Sequence, residues 1–334
     1  MSSSTRPRKV EHGQFYTTTN PFTHPAFTAW LAAIPVGARY LEPFAGANNI
    51  VAMVKQVLPN SNWESFDLEP AAPEVIMRDT LASFPTGYDV VITNPPYLAR
   101  NSARRRGMDA AVERMANWED LYLFSLELCL AHAPRVAAII PESFIARGEL
   151  TERLTFVVSL NTKMFDDTEH PVCLAVFDPA PSASFDVYVG AKRIGTWDEV
   201  STRGRLDDSD HTMRFNDPRG NVGLVAVDST NGPSIQFCAA ALVKASEIKH
   251  TSRHRTRIDV PAMRKLSSLE RGLVIGIANE RLTQWRESTG DVLLSPFMGL
   301  RKDGVYRRRL DYATAGKILA AALDEYLGSL KAAS

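Results

Sequence analysis

Between residues 39 and 179 the chain alternates short apolar, β-rich runs with stretches whose apolar positions recur at helical spacing. Consecutive strands separated by helices need crossover connections, and such connections build a mainly parallel sheet with helices on its faces. The alternation predicts strands over 39–42, 63–67, 74–77 and 88–93, and helices over 49–57 and 120–133. A buried strand over 135–140 ends at Pro141. Two further strands, 156–160 and 172–177, lie close enough in sequence for a late antiparallel hairpin. The rhythm stops at the Pro/Ser-rich stretch 179–184, where a domain boundary is expected. Beyond it come short strands, glycine turns, basic clusters and, over 312–330, a closing amphipathic helix.

A chain of 334 residues with 45% apolar content can bury one large core or two moderate ones, and two domains fit its organisation better. Cys129, Cys173 and Cys238 are far apart in apolar surroundings, without CxxC pairs, so they read as buried, reduced thiols and not as a disulfide framework or zinc site. The N-terminus is polar and basic with no apolar signal core, and no stretch approaches the roughly 20 apolar residues of a membrane span. A cytoplasmic protein without a membrane segment is expected. Lys plus Arg and Asp plus Glu balance at 38 each, so global charge makes no argument for a nucleic-acid partner. Local charge does: Arg253, Arg255 and Arg257, Arg264-Lys265, Arg301-Lys302 and Arg307-Arg308-Arg309 gather late in the chain.

Asn94-Pro95-Pro96-Tyr97 follows the apolar run Val90-Val91-Ile92-Thr93, which places it at the carboxyl edge of a parallel sheet, where α/β folds bind ligands. Two prolines carry no N–H and stiffen the backbone, so nearby carbonyls stay free in fixed directions. An amine attacking an electrophilic methyl group needs acceptors that hold its two N–H bonds and localise the nitrogen lone pair. The Asn94 side chain and the Pro95 carbonyl offer two such acceptors, and Tyr97 offers a flat face for stacking a base taken out of the duplex. The plain alternative is a rigid turn after a strand.

Other residues weigh against that alternative. Leu41-Glu42-Pro43-Phe44-Ala45-Gly46-Ala47-Asn48 leaves the first strand and opens a helix, where a nucleotide-like cofactor can approach the backbone. Asp67 ends the second strand, in position to accept ribose hydroxyls. Asp79, after the third, could accept from an adenine amine or simply cap a turn. Upstream, His12-Gly13-Gln14-Phe15-Tyr16-Thr17-Thr18 is an unusual cluster that could equally be a short strand with a turn glycine.

In this order, Gly13 to Thr18, Glu42-Pro43-Phe44-Ala45-Gly46, Asp67, Asp79 and Asn94-Pro95-Pro96-Tyr97 resemble the γ-class amino-methyltransferases of restriction–modification systems and phages, over roughly 11–178. The resemblance implies a Rossmann-like α/β fold with a seven-stranded sheet, one strand antiparallel, and S-adenosylmethionine as cofactor. It implies a tail over 1–10, a catalytic domain over 11–179 and a target-recognition domain over 185–334. Phe15, Tyr16 and Thr17 would cover the methionine end of the cofactor, Glu42, Pro43 and Gly46 its amino-acid portion, Asp67 the ribose, and Asp79 with Leu81 or Phe84 the adenine. Asn94, Pro95, Pro96 and Tyr97 would act on a flipped adenine, with Phe165 as a second aromatic or else a core side chain. Members commonly carry a second glycine where this chain has Asn48, a residue that tolerates left-handed backbone better than most.

The implied function is site-specific DNA adenine-N6 methylation of double-stranded DNA, with a cognate restriction endonuclease acting on the same site. The recognition surface would include Arg253, Arg255, Arg257, Arg307, Arg308 and Arg309, neutralising phosphates, against the alternative of a solvated face. Asn-Pro-Pro-Tyr also serves enzymes that methylate protein glutamine or RNA bases. Asp228 followed by Glu247-Ile248-Lys249 loosely resembles a metal-dependent nuclease site, and a non-catalytic DNA-binding protein is the remaining rival.

Overall fold

A computed structural model describes residues 20–115, 117–160, 164, 170–248 and 253–332. The chain divides into two compact units, Met1–Thr196 and Trp197–Ser334.

In the first unit, β1 (Arg39–Glu42), β2 (Asn62–Asp67), β3 (Ile76–Met77), β4 (Val90–Thr93) and β5 (Arg135–Pro141) run parallel. Next to β5 lies β7 (Val172–Phe177), antiparallel both to it and to β6 (Leu154–Leu160). The spatial order is β3-β2-β1-β4-β5-β7-β6, extended by β8 (Asp186–Val189) and β9 (Lys192–Thr196). The order reverses between β1 and β4, where Tyr40 and Leu41 face Val90 and Val91. The late hairpin is therefore real, with its second strand inserted between β5 and the first.

The sheet has nine strands where seven were expected. The Pro/Ser-rich stretch is a loop tied back by the Ser182 N–H to the Glu152 carbonyl at 2.8 Å. It leads into β8, which pairs with β6 in parallel, and Gly190, at φ 54°, turns the chain into β9. Local turn chemistry marked a break there; pairing with a strand 30 residues earlier kept the chain in the sheet.

Strand alternation sends Tyr40, Val90, Ile92, Ala137, Ile139, Phe156, Val158, Leu174 and Val176 to one face, all buried. Against that face pack Phe27, Trp30 and Leu31 of α1 (Pro25–Ala32) and Ile50, Met53 and Val54 of α2 (Asn49–Lys55). α1 starts at Pro25, whose fixed φ suits a first helical residue, with the His24 Nδ1 accepting from the Ala26 N–H at 3.2 Å. After β4 come α3 (Arg100–Arg105), α4 (Asp109–Arg114) and α5 (Leu121–His132). Ala103 and Met115 anchor α3 and α4 on Leu98 and Leu121.

The second unit contains α6 (Trp197–Arg203) and a four-stranded antiparallel sheet in the order β10-β13-β11-β12. Those strands are β10 (Arg214–Phe215), β11 (Val222–Val225), β12 (Gln236–Ala239) and β13 (Arg255–Asp259). Then follow α7 (Ser268–Thr289), the hairpin β14 (Ser295–Leu300) and β15 (Tyr306–Arg309), and α8 (Tyr312–Ala332). Ala315, Ile318, Leu319, Ala322, Leu323 and Tyr326 form the buried stripe of α8, as its amphipathic spacing predicted. All three cysteines are free, Cys129 and Cys173 fully enclosed. Among the described residues no helix is long and apolar enough to cross a membrane.

Candidate active site at the sheet switch point

Ligands of open α/β sheets lie outside the carboxyl ends of the strands where the strand order reverses. Here those ends belong to β1 and β4, and they carry Glu42 and Thr93-Asn94. A hydrogen bond joins them: the Thr93 Oγ1 donates to the Glu42 Oε1 at 2.7 Å, and the Phe44 N–H donates to the same oxygen at 3.0 Å. Glu42 is fully buried, and its Oε2 has no hydrogen-bond partner among the described residues. Burial pushes its carboxyl up to about 8, against the opposing pull of those two hydrogen bonds and with a further push from the charge of Asp67. A buried acceptor without a donor costs free energy unless a ligand supplies one.

The turn from β1 into α2 is held in left-handed conformations at two places, Gly46 at φ 52° and Asn48 at φ 64°. Asn48 therefore fills the place of the second glycine with the backbone shape a glycine would give. Its side chain also fastens the turn, accepting from the Ser65 Oγ at 2.9 Å and donating to the Glu74 Oε1 at 3.2 Å. Asp67 does related work: its Oδ2 accepts from the Gly46 N–H at 2.8 Å and its Oδ1 from the Glu69 N–H at 2.7 Å. Thr80 donates to the Pro43 carbonyl at 2.9 Å. The ends of β1, β2, β3 and β4 are thus brought to one edge and tied together.

Asp79 has a different setting from the one expected of an adenine acceptor. Its Oδ2 is 2.7 Å from the Arg114 Nη2 of α4, and its Oδ1 accepts from the Ala82 N–H at 3.2 Å. It caps a turn and pairs with a cation. Leu81 packs against the α3–α4 layer, and Phe84 tilts against His132 at 5.0 Å.

Asn94 and Tyr97 are coupled. The single proton of the Tyr97 hydroxyl lies between the Asn94 Oδ1 at 2.6 Å and the Ile139 carbonyl at 2.7 Å. The ring is partly exposed while its hydroxyl is enclosed, and burial keeps that hydroxyl protonated well above the usual tyrosine range. Tyr122 of α5 meets the Tyr97 ring edge-on, centroids 6.3 Å apart, and its own buried hydroxyl has no hydrogen-bond partner among the described residues. Sequence reasoning missed Tyr122 because nothing in a helical Leu-Tyr-Leu-Phe run separates it from a core aromatic. Phe15, Tyr16, Thr17 and Phe165 lie outside the described residues.

In the second unit the expected arginine surface is largely committed to internal partners. Arg308 is 2% exposed, so it cannot meet a phosphate at the surface. Arg307 donates through Nε to the Asp228 carbonyl at 2.7 Å and lies over Phe297, 5.0 Å from the ring centroid. Arg257 donates to the Val243 and Pro218 carbonyls at 2.8 and 2.6 Å. Arg255 pairs with Glu247 at 3.1 Å, and exposed Arg253 lies 5.8 Å over Tyr312.

The loose nuclease pattern dissolves in the same network. Asp228 is fully buried and takes Arg286 on both oxygens at 3.2 and 3.1 Å, with Arg301 at 3.5 Å. Burial pushes its carboxyl up, but the Arg286 guanidinium and the backbone N–H groups of Ser234 and Ile235 hold it below the usual range. Among the described residues no group of three His, Cys, Asp or Glu side chains gathers to hold a metal ion, and Lys249 lies outside them.

Strand order and switch point are those of a Rossmann-like methyltransferase sheet, as the motifs led us to expect. Residues 44–167, rather more than a third of the chain, match the sequence profile of the Eco57I restriction-modification methylases. Over this stretch, which holds Gly46, Asp67, Asp79 and Asn94, the match bears out the resemblance to the amino-methyltransferases of restriction–modification systems. Similar solved structures include a Listeria monocytogenes protein described as a class I S-adenosylmethionine-dependent methyltransferase, at 12% identity over 50% of this chain and 64% of that one, with a TM-score of 0.38. A type I restriction-modification system methyltransferase subunit from Streptococcus thermophilus is 17% identical over 60% and 49%, with a TM-score of 0.41. A protein from Vibrio vulnificus, described as a modification subunit of a type I restriction enzyme, is 16% identical over 53% and 47%, with a TM-score of 0.38. The chain thus spans less than two thirds of the length of each. No curated protein sequence matches it.

Proposed function

We propose that this chain is an S-adenosylmethionine-dependent DNA methyltransferase that acts on the N6 amine of adenine. One observation carries the reading. The acceptor motif at the end of β4 is joined by the Thr93–Glu42 hydrogen bond to a buried, half-satisfied carboxylate at the end of β1, across the switch point of the sheet.

The residues present fit the cofactor. The unpartnered Glu42 Oε2 suits a cationic donor such as the amino group of S-adenosylmethionine. Asp67, fastened by the Gly46 and Glu69 N–H groups at the end of β2, has the chemistry to accept ribose hydroxyls, and the Gly46–Asn48 turn lets a ligand approach the backbone. Asp79 would have to exchange Arg114 or share it to accept an adenine amine. When bound, the cofactor supplies an electrophilic methyl group on sulfonium.

The Asn94 Oδ1, oriented by the Tyr97 hydroxyl, is the group that would accept one N–H of the target amine. The Pro95 carbonyl accepts the other. Together they hold the amine so that its lone pair faces the methyl group. The Tyr97 hydroxyl fixes the Asn94 amide and leaves the ring face for the base. The methylated aryl ammonium is acidic and gives its proton to water.

Transfer of a tritiated methyl group to mixed-sequence duplex DNA tests the reading. The chain should label adenine, and Asn94→Ala should lose at least about a hundredfold in rate, the scale of losing one oxyanion-hole donor. Labelling of protein or RNA with none on DNA would transfer the chemistry to another substrate. Equal labelling by Asn94→Ala would remove the motif from the mechanism. A restriction endonuclease sharing the site is the expected partner.

A further inference from the structure

The cations that the second unit withholds are available on the first. Six of the residues immediately after Tyr97 and Leu98-Ala99 form α3, and Arg100, Arg104, Arg105 and Arg106 fall within it or cap it. The inner side of this helix is fixed: Ala103 is fully buried, the Leu121 N–H donates to the Leu98 carbonyl at 3.0 Å, and the Arg100 Nε donates to the Trp118 carbonyl at 2.9 Å. The outer side carries Arg104 and Arg105, both exposed. The Arg105 Nη2 meets only the Ser102 Oγ, at 3.3 Å, and no carboxylate lies within ion-pair distance of either guanidinium among the described residues. The acidic groups of the segment between β4 and α5 are engaged or set apart: Glu119 is 3.6 Å from Arg147, while Asp109 and Glu113 belong to α4, whose Arg114 is taken by Asp79.

Two exposed arginines at a helix C-terminus have an ordinary use in offsetting the helix dipole. One suffices for that in a helix of 6 residues, and the cost of crowding Arg105 beside Arg104 is offset by no carboxylate among the described residues. Position adds to this. Three extended residues and four helical ones keep Arg104 within about 16 Å of Tyr97. At 3.4 Å per nucleotide along a strand, that is roughly five nucleotides from the base held at Asn94. Whatever polymer presents a flipped base to Tyr97 must pass its phosphates through this range, and extruding the base costs a few kcal/mol that backbone contacts can offset.

We propose that Arg104 and Arg105 form a phosphate clamp on the catalytic unit, gripping the duplex-DNA backbone beside the nucleotide whose base enters the Asn94 site. The clamp rests on the methyltransferase reading above. It takes phosphodiester groups of any sequence, so it positions the duplex and does not read it.

The test uses the full chain and a fluorescently labelled mixed-sequence DNA duplex of about three helical turns, titrated over a series of salt concentrations, with single-stranded RNA as a second probe. Arg104→Ala/Arg105→Ala should bind the duplex about tenfold more weakly at low salt. The slope of log affinity against log salt should fall by about two, one phosphate for each lost cation. Arg104→Lys/Arg105→Lys should restore the slope, because lysine keeps the charge. An unchanged slope in the alanine variant would overturn the clamp. So would equal losses in the alanine and lysine variants, which would mark a folding defect, or a dependence on these arginines seen with RNA alone. Methyl transfer by the unmodified chain is scored separately. No transfer combined with arginine-dependent duplex binding would overturn the methylation reading and keep the clamp; transfer combined with arginine-independent binding would do the reverse.

Discussion

At Glu42 one carboxylate oxygen is satisfied twice and the other not at all, and the whole group is out of contact with water. Its carboxyl is pushed from an ordinary 4.5 up to about 8, so the folded chain holds this proton more tightly than the unfolded one. Between those values the folded state binds more protons, and stability falls as pH rises from about 4.5 to about 8. A cationic ligand reverses the balance by favouring the carboxylate. Binding of S-adenosylmethionine should therefore tighten as pH rises towards 8 and level off above it, with up to one proton released per ligand near neutrality. Calorimetry in buffers of different ionisation enthalpy reads that proton directly. Glu42→Gln should bind at least about tenfold more weakly and release none, since a neutral amide has no charge to recover. Proton-neutral binding by the unaltered chain at pH 7 would place the cation elsewhere.

The strand β15 shows how an element decides what a run of like residues can do. In Arg307-Arg308-Arg309 successive side chains point to opposite faces, so a triplet that looks uniform in sequence cannot act as one patch. Arg308 points inward at 2% exposure, on a strand whose backbone exchanges bonds with Asp228 through the Asp228 N–H and the Arg308 carbonyl at 2.9 Å. Arg308→Ala should cost the second unit about 3 kcal/mol, the scale of truncating a large, fully buried side chain, with little change in the salt dependence of DNA binding. Urea melts and binding titrations on one preparation would separate the two; a change of salt slope at undiminished stability would restore Arg308 to the surface. The first unit was more legible for a related reason. Apolar runs and turns encode β1, β2, β4, β5, β7 and α5 locally, and Glu42, Gly46, Asp67 and Asn94 follow because a parallel sheet puts strand ends on one edge. Partner choice is not local. Neither the Asp79–Arg114 pair, nor the burial of Asp228 among arginines, nor the pairing of β8 with β6 leaves a mark in its own segment. Arg104 and Arg105 went unremarked because exposure and the absence of a carboxylate become visible only once α3 is anchored by Ala103.

Across the whole chain the two compact units have separate cores. Phe22 to Tyr188 supply the cluster over the large sheet, and Leu206 to Leu327 supply the one around α7 and α8. Every residue that fits the cofactor belongs to the first unit, while the buried Asp228–Arg286–Arg301 network belongs to the second. A ligand stabilises only the structure it binds, by RT ln(1 + [L]/Kd), about 2.7 kcal/mol at a hundredfold excess over Kd. Thermal unfolding should therefore resolve into two transitions, and a hundredfold excess of S-adenosylmethionine should raise one by roughly 8 °C, as expected for about 2.7 kcal/mol in a unit near 200 residues. Arg308→Ala should lower the other. Scanning calorimetry of the ligand-bound variant then provides the sharper reading, because the two shifts should add without interacting when the perturbed groups share no partner. A single transition moved by both the ligand and the substitution would mean that the cores unfold as one cooperative body.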